Sequence, residues 1–181
     1  MVVALDGWWL RDGAHEKWDA QWFVIKVPPT ETWAYKDGSS QRRIAALELM
    51  GTIIITKLIH THGSGAIAHL TTPIATDNKG NAYNIAKDKA RQPALLALMM
   101  ELAISSHQAH TQLGAYHVKR AHNTWADALA DKNYSGFDPK KRLRFDIKDE
   151  KNWHIWTKLK RLDNEAPPPV KRTGAGTGTR L

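Results

Sequence analysis

Three acidic residues, far apart in the chain, stand where an ionised side chain is costly. Glu48 lies within the apolar stretch 44–59, Asp77 ends Ile74-Ala75-Thr76, and Asp127 closes Asn123-Thr124-Trp125-Ala126-Asp127. A glutamate on the apolar side of a helix, or an aspartate at the mouth of a buried strand, gives up hydration that only a cation or strong hydrogen bonds replace. Three such costs in one small domain point to a shared divalent metal site. Each acid also has a plain structural reading. Glu48 could pair with Arg42 or Arg43 on the helix margin, Asp127 could be a first-turn residue favoured by the helix dipole, and Asp77 with Asn78 and Gly80 could be a turn.

The elements that must carry these acids follow from patterning. Apolar residues at 44, 47, 54, 55 and 58, with Gly51 in the same series, recur at helical spacing and predict a helix over 44–59 despite the β-branched run Ile53-Ile54-Ile55. Ahead of it, 1–5, 21–27 and 31–35 read as strands, the second stopped by Pro28-Pro29. A strand is expected through 66–76, although Pro73 forbids an unbroken central ladder there. Asn78-Lys79-Gly80-Asn81 turns into a short helical stretch, and Pro93 starts a stronger helix over 94–106. The strand 114–119 then leads to Asn123, a good N-cap for a helix over 124–133. Strands, helix, strand, helix, strand, helix is an α/β layout with one mixed sheet.

At 181 residues and 42% hydrophobic, the chain can bury one sizeable core. Cysteine is absent, which excludes a disulfide scaffold and thiolate metal sites. No signal-peptide pattern opens it and no apolar run reads as long enough to span a bilayer, so a soluble, intracellular protein without a membrane partner is expected, nucleus or cytoplasm undecided. The net charge of +8 favours a polyanionic partner, though solubility alone would explain it. Lys140, Lys141, Arg142 and Arg144 crowd one stretch. Trp153, Trp156, Leu159 and Leu162 then mark one face of an expected amphipathic helix over 146–165, and the Gly/Pro-rich basic tail 166–181 is expected to be disordered. Residues 1–145 form the expected main domain.

Taken in order, these blocks resemble the ribonuclease H family. Asn123-x-x-Ala126-Asp127-x-Leu129-Ala130 after Val118-Lys119-Arg120 is similar to its last catalytic block, Ile44-Ala45-Ala46-Leu47-Glu48-Leu49 to its glutamate helix, and Ala75-Thr76-Asp77-Asn78 to its second strand-end aspartate. The likeness is greatest to ribonuclease H-like domains of retroelement reverse transcriptase polyproteins. There a tryptophan-rich start, Ala-Leu-Glu-Leu, Thr-Asp-Asn-x-Gly-Asn and the trailing Gly136-Phe137-Asp138-Pro139 occur together, and here they span about 5–144.

The resemblance implies a ribonuclease H-like α/β fold, a mixed central sheet flanked by helices, and an endonuclease that cuts the RNA strand of RNA/DNA hybrids. It implies two Mg²⁺ ions roughly 4 Å apart, with Mn²⁺ as an alternative. Asp77 would help bridge the ions, Glu48 would bind the one beside the leaving group, and Asp127 would complete the other site. His122 would be a proton shuttle or product-release aid, against the plainer reading of a solvated loop histidine. A reverse transcriptase domain in the parent polyprotein is the implied covalent partner, and Lys140, Lys141, Arg142 and Arg144 the implied nucleic-acid contacts.

Asp6 reads in two registers. In Val3-Ala4-Leu5-Asp6-Gly7 it fits the family's first-strand aspartate and completes a catalytic and metal-binding tetrad of Asp6, Glu48, Asp77 and Asp127. In the other register Gly7-Trp8 matches the Gly-Trp of the family's second strand, and the domain is a truncated, inactive copy with a nucleic-acid-binding or structural role. Asp6 distinguishes the two, because the first needs its carboxylate near Glu48 and Asp77.

Overall fold

A computed structural model of the chain describes residues 3–28, 40–63, 71–90 and 93–157. Strands β1 (Ala4–Trp9) and β2 (Gln21–Lys26) form an antiparallel pair in which Asp6 faces Val24 and Trp8 faces Trp22. Helix α1 (Ser40–His62) follows, then β3 (Thr71–Thr76), α2 (Lys79–Lys87), α3 (Pro93–Gln108) and β4 (Gln112–His117), the last running parallel to β3. The short α4 (Thr124–Ala130) comes after a single 3-10 turn at Arg120–His122. The α/β class expected from the sequence is therefore present. The third expected strand, 31–35, and the tail 166–181 lie outside the described residues, as do the side chains of Arg42 and Arg43.

The expected single mixed sheet is corrected. Among the described residues β1–β2 and β3–β4 are two separate two-stranded sheets. Pro73 bears on this, since it removes one donor from the six-residue β3 and proline sits on strands with an unpaired edge; β3 has β4 as its one partner. Strand 1 also lies later than the pattern suggested, over 4–9 rather than 1–5.

Strand alternation sends the two faces of β1–β2 to different cores. Leu5 and Phe23 join the main cluster under α1, with Leu49, Met50, Ile53, Ile54 and Leu58 from that helix and Leu98 and Leu102 from α3. Gly7 is required there, because a Cβ would stand 2.8 Å from the Phe23 ring and 3.4 Å from Ile55. Trp8 and Trp22 face the other way, into a second cluster with Leu129 and Phe137. By length and composition alone the stretch Ile44–His62, of mean hydropathy 1.5, is long and apolar enough to cross a bilayer. In this fold it is the central core helix.

The helix expected over 146–165 does not begin at 146: the segment runs as a strap with one 3-10 turn, Glu150–Asn152, after which Trp153 is extended, and helix opens only at Trp156, with 158–165 outside the described residues. Trp153 and Trp156 are both buried in the main core. Glu101, on α3 and fully buried, accepts hydrogen bonds from the backbone N–H groups of His154, Ile155 and Trp156 and holds the strap down.

Candidate active site

The C-terminal end of β3 carries the site. Thr76 is buried, and its Oγ1 accepts from the Asn78 N–H at 3.1 Å. Asn78 caps α2, its side-chain oxygen accepting from the Asn81 N–H at 3.0 Å. This chain of bonds fixes the turn that bears Asp77. Glu48 comes from the first half of α1, one turn before Gly51, whose site for a Cβ lies 3.5 Å from the Asp6 carbonyl oxygen; α1 thus crosses β1 beside Asp6. Asp127 enters from the first turn of α4. That helix is held against β1 by Trp125, whose ring centroid lies 4.5 Å from that of Trp8. Asn123 occupies the N-cap position but makes no side-chain cap bond, unlike the expectation.

The four acids are linked pairwise by charge, Asp6 with Asp127 and Asp77, and Glu48 with Asp77. Burial first, and then the charges of Asp127 and Asp77, push the Asp6 carboxyl from its ordinary 3.8 up to about 7. Burial and then Asp77 likewise raise Glu48 from 4.5 to about 7, against hydrogen bonds from Asn78 and Asn81 and the positive charge of Arg120. Asp77 is the shared member, acting on both Asp6 and Glu48. Asp6 lies on the face of β1 that carries Trp8 toward α4, the helix that bears Asp127.

The donor set is oxygen only, the chemistry that suits Mg²⁺ or Mn²⁺. Among the described residues, however, no three acidic or histidine side chains stand in an arrangement that could hold a metal ion. A cation also approaches the acids: Arg120 Nε lies 3.8 Å from Asp127 Oδ1, although the arginine side chain is 82% exposed and such a pair is weak and easily displaced. Sequence reasoning left Arg120 unassigned, and it read Asn78 and Asn81 only as turn residues. Asparagine three residues before a second asparagine, opening a helix directly after a strand-end aspartate, was the available signal. His122 is exposed in the 3-10 turn.

The paired shifts predict a pH dependence. Because Asp6 and Glu48 hold protons more tightly folded than unfolded, the stability they confer is full below about pH 4 and is lost as pH rises through about 7. The metal-free Asp6→Asn protein should therefore lose less stability than wild type between pH 4.5 and 8, as read from melting curves. Superimposable profiles would contradict the burial and crowding of Asp6.

The basic stretch divides in two. Lys141 pairs with Asp19 at 3.2 Å and donates to the Trp18 carbonyl at 3.0 Å. Arg142 stacks over Trp22 at 5.2 Å and Tyr134 at 5.8 Å while donating to the Val24 carbonyl. Lys141 ties the segment after α4 to the turn Lys17–Asp19 and Arg142 ties it to β2, whereas Lys140 and Arg144 are exposed, as Arg142 is, without such side-chain bonds among the described residues. Neutralising Lys140 and Arg144 should lower the salt slope of hybrid binding by up to about two with an unchanged melting temperature. Neutralising Lys141 and Arg142 should instead lower the melting temperature. The reverse pattern would remove Lys140 and Arg144 from the interface.

No protein-family model matches this chain, and neither the curated proteins nor the solved structures give a match.

Proposed function

We propose that this chain is a ribonuclease H-like, metal-dependent endonuclease that hydrolyses the RNA strand of RNA/DNA hybrids, as part of or derived from a retroelement reverse transcriptase. One observation carries the reading: Asp77 acts by its charge on both Asp6 and Glu48, while Asp127 acts on Asp6, so acids from four separate elements are linked pairwise by charge near the end of β3. Repulsion of this kind is relieved by a cation, and carboxyl groups with raised pKa values mark a candidate functional site. Divalent ions held there would activate a water and neutralise charge on the scissile phosphate and the leaving oxygen. Glu48, Asp77, Asp127 and Asp6 would supply the ligands, with Asp77 placed to be shared. Asn78 and Asn81 hold Glu48, and Trp8 against Trp125 holds α4 so that Asp127 faces the cluster.

A second reading, an inactive ribonuclease H-like module that binds nucleic acid or braces a larger protein, is favoured by the split between β1–β2 and β3–β4 and by Arg120 beside Asp127. The two are separated by incubating the protein with an RNA/DNA hybrid labelled on the RNA strand, with Mg²⁺, beside EDTA, duplex-DNA and duplex-RNA controls. Mg²⁺-dependent cleavage confined to the RNA of the hybrid supports the enzyme. Binding without cleavage leaves the module.

A further inference from the structure

Asn81 is buried to 1% exposure, yet it is a polar residue in the first turns of α2 with no place in the apolar core. Its Nδ2 donates to the Ala45 carbonyl at 2.8 Å and to Glu48 Oε2 at 3.4 Å. The Ala45 carbonyl can only accept, so the amide has one permitted orientation. That orientation leaves Asn81 Oδ1 buried without a hydrogen-bond partner. Leaving an acceptor unpaired is unfavourable, so the residue is kept in place by what its nitrogen does.

What the nitrogen does is join two elements. Ala45 and Glu48 lie one turn apart on α1, so a single amide grips the helix backbone with one hydrogen and the carboxylate with the other. The Asn81 backbone N–H is held by the Asn78 side chain, and Asn78 is held by Thr76 at the end of β3. The chain of bonds runs from the strand end that bears Asp77 to the helix that bears Glu48. A glutamate side chain has three rotatable bonds; the Asn81 amide, together with Asn78, restricts them and so helps to select the Glu48 rotamer.

We propose that Asn81 is a positioning residue that orients the Glu48 carboxylate toward Asp77 for divalent-cation binding, an inference that rests on the metal-site reading above. The test is Mn²⁺ affinity measured by calorimetry on the full chain at pH 7.5, for wild type, Asn81→Ala, Glu48→Gln and the double variant, each checked for fold by circular dichroism. Asn81→Ala should weaken Mn²⁺ binding about tenfold or more, the scale of losing a residue that orients a metal ligand. In the Glu48→Gln background the same change should add less than about twofold, because the residue acts through Glu48. If Asn81→Ala does not fold, Asn81→Ser, which keeps a hydroxyl able to bond the helix backbone but cannot span both partners, takes its place with the same expectation. A folded variant with wild-type affinity, or an equal loss in both backgrounds, overturns this inference alone. Failure of the wild-type chain to bind Mn²⁺ overturns the metal site itself, and this inference with it.

Discussion

Asp77→Asn should abolish cleavage of an RNA/DNA hybrid while leaving the fold intact. Asp77 is the acid whose charge acts on both Asp6 and Glu48, so it is the one member whose loss disturbs both sides of the cluster. The amide keeps the shape of the side chain but is a poor ligand for a hard cation. A fall in kcat of about a thousandfold or more is expected, the scale seen when a principal charge-stabilising group is removed. The same substitution takes away part of the repulsion on Asp6 and Glu48, so the metal-free variant should melt higher than wild type at pH 8. Steady-state cleavage and a melting curve read both effects. A correctly folded variant that cuts at the wild-type rate would remove Asp77 from the chemistry.

Glu101→Ala should produce the largest loss of stability. The carboxylate is 0% exposed and is bonded by Lys57 Nζ at 2.8 Å and by three consecutive backbone N–H groups, His154, Ile155 and Trp156, at 2.9 to 3.1 Å. Burial alone would raise its pKa; the Lys57 bond and the backbone donors outweigh it and hold the group below its ordinary 4.5. The stability it confers is present above that ordinary value and is lost as pH falls through the lowered one. Truncation leaves an ammonium and three amides unpaired in the core, which costs about 3–5 kcal/mol. For a chain of this size that is a fall in melting temperature on the order of 10 °C. Trp153 and Trp156 should move into water at the same time, shifting the tryptophan emission to the red. Glu101→Gln, which keeps one acceptor oxygen but turns the other into an N–H donor among donors, should lie between. An unchanged melting temperature in Glu101→Ala would contradict the strap as a structural member of the domain.

How much of this was legible depends on whether the cause is local. Glu48 in an apolar helix, Asp77 after a strand and Asp127 in a helix first turn declare themselves by their immediate neighbours, and α1, α3, β2 and β4 follow from period and punctuation. Pro73 correctly forbade a ladder on both edges of β3, yet the consequence for the whole sheet was not drawn from it. The segment reads as helical from 146, whereas helix opens only at Trp156; the three N–H groups there that converge on Glu101, more than fifty residues away, leave no mark in the local sequence. Arg142 gave the same composition signal as Lys140, and its role differs only because Trp22 lies beneath it. Asn81 was visible as part of a turn; its bond to Ala45, across thirty-six residues, was not. The two registers of Asp6 could not be separated by spacing, and the structure divides their consequences: the acid joins Asp77 and Asp127 in one electrostatic cluster, while its strand stays unpaired with β3.

The most direct measurement is anomalous diffraction from crystals of the full chain soaked in Mn²⁺ at pH 7.5. The account predicts an anomalous peak at the end of β3, ligated by Asp77 and Glu48 on one side and approached by Asp6 and Asp127 on the other, with the Arg120 guanidinium withdrawn from Asp127. No peak among the four acids at saturating Mn²⁺, with Arg120 still paired to Asp127, would contradict a metal site and leave the cluster without catalytic meaning.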